Sequence, residues 1–410
     1  MALPASTLTH LECSICSARH EWGVPQSVCS ACGRALLARY DLGAASRSMT
    51  REELRRREAS MWRYAEVLPA SELAGAVSLG EGMTPLLPAP QLGAELGLGD
   101  LLVKDEGANP TGSFKARGLA AATAMARRLG ITDIALPTAG NAGSAAAAYA
   151  ARGGLTAHIA MPADTPEAIV REVIHLGADL HLVDGLIDDA GGLIAGLCSE
   201  HGWFDLSTLK EPYRAEGKKT MGYELWEQLR GALPDAVLYP TGGGTGLIGM
   251  WKAFDELEEM GLLQGARPRM YAVQSDGCAP VVRAWKRGDE RCERWPGPAT
   301  VAPGIRVPSP FADDLILRTL RESGGAAVAI PDASIVPAMR RLGRLEGIDA
   351  CPEGAATVIG LELLLAAGAI RHDERIVLFN TGTGLKHPEL RPASGPSRPR
   401  QATAGGSQRR

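Results

Sequence analysis

Long apolar runs are missing from this 410-residue chain. No stretch reaches the roughly 20 residues that a membrane-spanning helix needs, so a role within a bilayer is not expected. The opening residues, MALPASTLTHLEC, carry neither the basic n-region nor the apolar h-region of a secretion signal, which makes a cytoplasmic location the expectation. Concentrated positive charge is missing as well. With a net charge of -4, a pI near 6.1 and its Lys and Arg spread out, the chain lacks the dense cationic face that nucleic-acid phosphates demand. Nor is there a disulfide framework: Cys198, Cys278, Cys292 and Cys351 are scattered singly, which fits a reducing compartment.

What is present is enough apolar material, 45% of residues, to fill two packed lobes beside a small accessory module. The remaining cysteines form two tight pairs, Cys13/Cys16 and Cys29/Cys32, separated by twelve residues. That spacing suits a hairpin presenting four thiolates to one Zn2+, a zinc ribbon over residues 1-45 with a structural role, since four thiolates leave no open coordination position. The following charged stretch, MTREELRRREASMWRYAEVLP, reads as an amphipathic surface helix ending near Pro69. From Leu101 onward, short apolar runs (LLVK, IALP, AHIAMP, LHLVDG, AVLYP, MYAVQ, IVLFN) alternate with helical text, the pattern of an α/β fold with largely parallel sheets. The segment 391-410 is rich in Pro, Ser, Gly and Arg and is expected to lack order.

Four segments repeat a strand, small-residue turn and helix grammar. KDEGANPTGSFKARG sets Lys115 at the first turn of a helix, whose positive end favours a neutral, nucleophilic amine. PTAGNAGSAAAAYAA places the amide of Asn141 in a loop whose glycines admit a flat ligand. LYPTGGGTGLIG offers the backbone amides of Gly242, Gly243, Gly244 and Thr245 to a phosphate. VLFNTGTGLKHP ends a strand with Thr381 on a glycine turn.

In this order the four segments resemble the fold type II pyridoxal phosphate enzymes. The further segment STLKEPYRAEGKKTMGYEL, with the cysteine ribbon, is similar to the threonine synthase branch. The resemblance spans about Leu11 to Pro388 and implies a two-lobed architecture related to the tryptophan synthase β-chain. A smaller lobe over 101-205 would carry the lysine and asparagine, and a larger lobe over 46-100 and 206-390 the glycine loop. It implies that Lys115 carries the cofactor as a Schiff base and shuttles protons, with Phe114 near the ring. Asn141 would bond the cofactor 3'-oxygen, Gly242 to Thr245 its phosphate, and Thr381 the pyridine nitrogen. Arg214 would hold a substrate phosphate, with Ser113, Thr138 and Ser207 as further substrate contacts and Lys218 and Lys219 as weaker candidates.

The implied activity is conversion of O-phospho-L-homoserine and water to L-threonine and phosphate by a homodimeric lyase of amino-acid biosynthesis. The sequence departs from that branch at Ala116, where many members carry Asp, and at Ala139 and Ala142, where hydroxyl residues are common. Those departures keep a second reading in view: β-elimination or β-replacement on serine, threonine or phosphoserine, as in dehydratases or cysteate synthases. His158, His175 and His181 read as packing or surface residues.

Overall fold

In the computed structural model, residues 3-391 are described. The expectation of disorder for the tail falls, from residue 392 on, outside the described residues. At the amino end, β1 (Leu8–Cys13) pairs antiparallel with β2 (Arg19–His20) and β3 (Leu36–Tyr40). The turns leaving these strands bring the two cysteine pairs together.

The charged stretch after the ribbon is not one surface helix. It breaks into a short helix, Arg51–Arg56, and a 3-10 segment, Met61–Val67, whose seven side chains are all buried. The reason is pairing: Arg57 forks onto Glu66 with two 2.7 Å bonds, and Arg63 and Tyr64 both reach Glu227, at 2.9 and 2.7 Å. Charges that read as solvated are neutralised inside, which buried ions require.

Six strands form the larger sheet: β4 (Leu86–Pro88), β5 (Asp100–Asp105), β10 (Ala236–Pro240), β11 (Arg269–Ser275), β12 (Ala326–Ile330) and β13 (Arg375–Asn380). Their order is β12-β11-β10-β13-β5-β4, parallel throughout except for β4. A second, all-parallel sheet has the order β8-β7-β6-β9, from β6 (Asp133–Pro137), β7 (Thr156–Pro162), β8 (Asp179–Val183) and β9 (Phe204–Asp205). Strands such as AVLYP in β10 are buried at every position, as in a parallel sheet covered on both faces. One boundary needs correction. The LLVK strand, expected to open the smaller lobe, is β5, and it runs between β13 and β4 in the larger sheet. Its alternating-free apolar text fits either sheet, and the choice is made by the register Leu101↔Ile376 and Val103↔Leu378.

Candidate active site

Three neighbouring strands, β10, β13 and β5, end on the same edge because they are parallel, and the loops leaving them meet there. From β5 the chain makes two 3-10 turns and passes Thr111 and Gly112, at φ 56° and 63°, before the helix Lys115–Arg128. A side chain at position 112 would press on Thr383 Cγ2 at 2.6 Å, so glycine is required. The loop is stitched to the end of β13: Phe114 N–H donates to the Thr381 carbonyl at 3.1 Å and Thr383 N–H to the Gly112 carbonyl at 2.9 Å. From β10 the turn Thr241–Gly244 leads into the helix Thr245–Glu259, with Gly244 at φ 72° and no side chain capping the helix start. The second sheet supplies Asn141 from the turn after β6, at the start of the helix Asn141–Gly153.

These loops enclose a cavity of about 670 Å3. Its wall includes Phe114, Lys115, Thr138, Asn141, Ser207, Arg214, Gly242, Gly243, Gly244, Thr245 and Thr381. Three expected residues lie outside the wall. Ser113 is fully buried behind it, bridged to Gly382. Lys218 sits one layer back, its Nζ 5.3 Å from the Phe114 ring centre. Lys219 points the other way, into a buried group with Glu216 at 2.7 Å and Glu256 at 2.9 Å. The helix Tyr213–Gln228 is buried along almost its whole length, so its charge run is no solvated face, and its turns divide Arg214 and Lys218 from Lys219.

Lys115 keeps some surface open to the cavity but is enclosed by protein, and its Nζ lies 4.2 Å from the Phe114 ring centre. Burial, and after it the charge of Arg214, pushes its amine down to about 8. The sequence had suggested the helix end as the cause; burial leads. Lys218 is pushed down further by burial, then by Arg214 and Lys115. Three basic side chains are gathered at one buried place beside Glu211, whose carboxylate accepts from the Tyr213 and Arg214 amides. Arg214 donates to the Leu206 carbonyl, and its Nε is left without a partner.

The position of these basic side chains is set by two helices in close contact. At Gly217, an added Cβ would lie 2.0 Å from the Arg117 carbonyl oxygen; at Gly118, 2.8 Å from that of Arg214. Beneath the contact, Arg117 bonds Glu106 at 2.6 and 2.8 Å and Glu224 at 2.8 Å, while Lys104 bonds Glu224 at 2.7 Å. All four side chains are fully buried. The Arg of the Lys-Ala-Arg motif therefore fastens the lysine helix from below, a role that reading the motif in isolation does not reveal.

Some buried polar atoms here have no hydrogen-bond partner among the described residues. Asn141 Oδ1 is buried without a partner, as is Arg214 Nε. The Gly242–Gly244 turn is tight enough that side chains there would strike Gly304, Thr208 and Ile316, at 2.7, 2.9 and 2.3 Å. An orphaned amide oxygen, a glycine cradle at an uncapped helix start, and a lysine with a lowered pKa form a donor set that fits pyridoxal phosphate. Thr381 Oγ1 lies 3.6 Å from Cys351 Sγ, a neighbour that sequence reasoning missed. Burial pushes that thiol up, so both groups stay neutral. Of the flanking hydroxyls, Thr138 is engaged with Gly140 and Ser144 with Glu172, while Ala139 and Ala142 line the wall.

Known proteins resemble this chain over most of its length. Residues 77-382 match the family described as pyridoxal-phosphate dependent enzyme. The threonine synthase of Methanocaldococcus jannaschii is 37% identical over 359 residues, covering 87% of this chain and 88% of that protein. That of Methanosarcina acetivorans is 35% identical over 382 residues, 93% of each. The structure of maize serine racemase superposes with a TM-score of 0.65 at 21% identity, over 77% of this chain and 92% of that one, and shares the fold. By its glycine cradle, its cavity lysine and these matches, the chain belongs to the pyridoxal-phosphate dependent enzymes, in the threonine synthase branch.

Proposed function

We propose that this protein is a threonine synthase that converts O-phospho-L-homoserine and water to L-threonine and inorganic phosphate. The observation that carries the reading is the buried guanidinium of Arg214 in the cavity wall beside Lys115, with Lys218 one layer behind, which calls for an anionic substrate beside the cofactor lysine. When bound, pyridoxal phosphate supplies a sink for the electrons of the substrate Cα–H bond. Lys115 would be its attachment point, and the lysine amine, lowered to about 8 by burial, would take the proton from the substrate Cα and return one later. Gly242 to Thr245 offer backbone amides to the cofactor phosphate, and Asn141 its amide to the ring hydroxyl. Thr381, a cavity-wall hydroxyl beside the Cys351 thiol, would give the ring nitrogen a neutral partner, which suits elimination better than transamination. Arg214 orients the substrate phosphate and keeps the departing phosphate beside Cβ, where water adds. Lys218 lies behind the wall, and Ser207 and Thr138 complete the polar lining.

The second reading, elimination or replacement on serine, threonine or phosphoserine, is favoured by one feature. Ala139 and Ala142 face the cavity while the hydroxyls of Thr138 and Ser144 are bonded elsewhere, leaving fewer donors for a substrate phosphate. Product analysis with O-phospho-L-homoserine, O-phospho-L-serine, L-threonine and L-serine separates the two. Threonine with equimolar phosphate from the first supports the synthase. A keto acid or a replacement product from the others, with phosphohomoserine untouched, rejects it.

For the ribbon we propose structural zinc. The sulfurs of Cys13, Cys16, Cys29 and Cys32 converge to within 4.8 Å, with separations of 3.3 Å for Cys13–Cys32 and 3.6 Å for Cys16–Cys29. A tetrahedron with Zn–S bonds of about 2.3 Å has edges of about 3.8 Å, close to what is seen. A homodimer, the assembly common to this fold, is proposed for the whole protein, and sedimentation would measure it.

A further inference from the structure

The ribbon is not a free appendage. Ser27 Oγ donates to the Lys210 carbonyl at 2.7 Å, the Tyr213 hydroxyl to the Trp22 carbonyl at 3.3 Å, and Arg318 to the Ser14 carbonyl at 3.1 Å. Two of these contacts fall on the short segment just before Arg214. The third falls on the helix Asp313–Glu322, whose first residue lines the cavity. One ribbon side chain, Arg34, itself forms part of the cavity wall. It follows Gly33, at φ 70°, and its carbonyl accepts the Cys29 N–H at 2.8 Å, so the cysteine cluster fixes where it emerges.

Arg34 also differs electrically from the other arginines of the outer wall. Arg291 is paired with Asp313 at 2.7 Å and Arg294 with Asp188 at 3.0 Å. Arg34 is half-buried and has no carboxylate within ion-pair distance among the described residues. A guanidinium held without a partner on the wall of an anion-binding cavity is placed to bind an anion. We propose that Arg34 is a specificity-determining residue: the ribbon presents it as an outer contact for the phosphate group of the substrate, ahead of Arg214. The cysteine module then contributes to substrate selection as well as to stability. The identity of the phosphate as part of an amino-acid substrate rests on the synthase reading above; the anion contact itself does not.

The test titrates inorganic phosphate into the cofactor-loaded protein by calorimetry, for the native chain, Arg34→Ala and Arg34→Lys. Arg34→Ala is expected to weaken phosphate binding about twofold to fivefold, as loss of one partly exposed ion contact does, and Arg34→Lys to restore most of it. The difference should shrink at 0.5 M KCl, where the Debye length falls to about 4 to 5 Å. In turnover, KM for the phosphorylated substrate should rise by a similar factor with kcat held, and KM for unphosphorylated serine, if it reacts, should not move. Unchanged phosphate affinity in Arg34→Ala, with the cofactor absorbance intact, overturns the proposal. So does an equal loss in the Lys variant, which would indicate packing rather than charge. If the native protein leaves phosphohomoserine untouched, the synthase reading fails while the calorimetric comparison still decides the role of Arg34.

Discussion

The contact between the lysine helix and the arginine helix should fail with a single methyl group. In Gly217→Ala the new carbon would lie 2.0 Å from the Arg117 carbonyl oxygen and 2.6 Å from its carbonyl carbon. Ordinary carbon–oxygen contacts are about 3.4 Å, so the helices must part by roughly 1.4 Å or bend. Both sides of the contact are backbone, so no rotamer change can absorb the overlap. Overpacking of this kind costs about 1 to 3 kcal/mol, against a gain of about 1 kcal/mol from replacing a mid-helix glycine by alanine. A control isolates the second term. Gly196 lies within the helix Ile187–His201, is exposed, and has nothing within 4 Å of an added Cβ. Gly196→Ala should therefore raise the denaturant midpoint by the equivalent of up to about 1 kcal/mol. Gly217→Ala should lower it, relative to the native chain, by up to about 2 kcal/mol and also raise KM, because Arg214 moves with its helix. Urea unfolding of both variants, read by far-UV dichroism, gives the comparison. If Gly217→Ala unfolds at or above the midpoint of Gly196→Ala, the close crossing does not exist as described.

Other expectations follow from the charges of the site. With the Lys115 amine at about 8, the neutral fraction rises from about a tenth at pH 7 to half at pH 8. The rate at which apoprotein takes up pyridoxal phosphate, followed at the cofactor's visible band, should increase about fivefold over that interval and level off above pH 9. A rate still climbing tenfold per pH unit at pH 9 would mean an unperturbed lysine. Arg214→Gln should raise KM for phosphohomoserine about tenfold to a hundredfold, the worth of a charge-assisted bond to phosphate, while changing that for any unphosphorylated substrate far less. Cys29→Ser should purify without the one zinc per chain expected of the native protein, as measured by atomic emission.

Much of the site is legible in the sequence because its parts are local. Lys115, Asn141 and the Gly242–Thr245 turn each sit where a strand ends and a helix begins, and a reader needs only a strand, a small-residue turn and a helix to find them. What is not legible depends on partners distant in the chain. Cys351 looks like a stray thiol until β13 brings Thr381 to it from thirty residues away. Lys218 and Lys219 read alike, yet one faces the cavity side and the other two carboxylates, since neighbouring helical positions point about 100° apart. Arg57 and Arg63 look solvated because their partners, Glu66 and Glu227, are identifiable only after folding. The placement of β5 is hidden for the same reason: strand text specifies burial on both faces but not which sheet provides it. The convergence of the four cysteines is legible by spacing, while the place of Arg34 in the cavity wall is not, because it depends on how the module docks.

The claim on which the rest depends is that the cavity beneath β10, β13 and β5 holds pyridoxal phosphate on Lys115. Borohydride reduction of the cofactor-loaded protein, followed by digestion and mass mapping of every lysine peptide, tests it directly. The account requires the pyridoxyl mark on the peptide containing Lys115 and its disappearance in Lys115→Ala together with the visible absorbance. A mark on Lys218, Lys104 or any other lysine, or a native visible spectrum in Lys115→Ala, contradicts it.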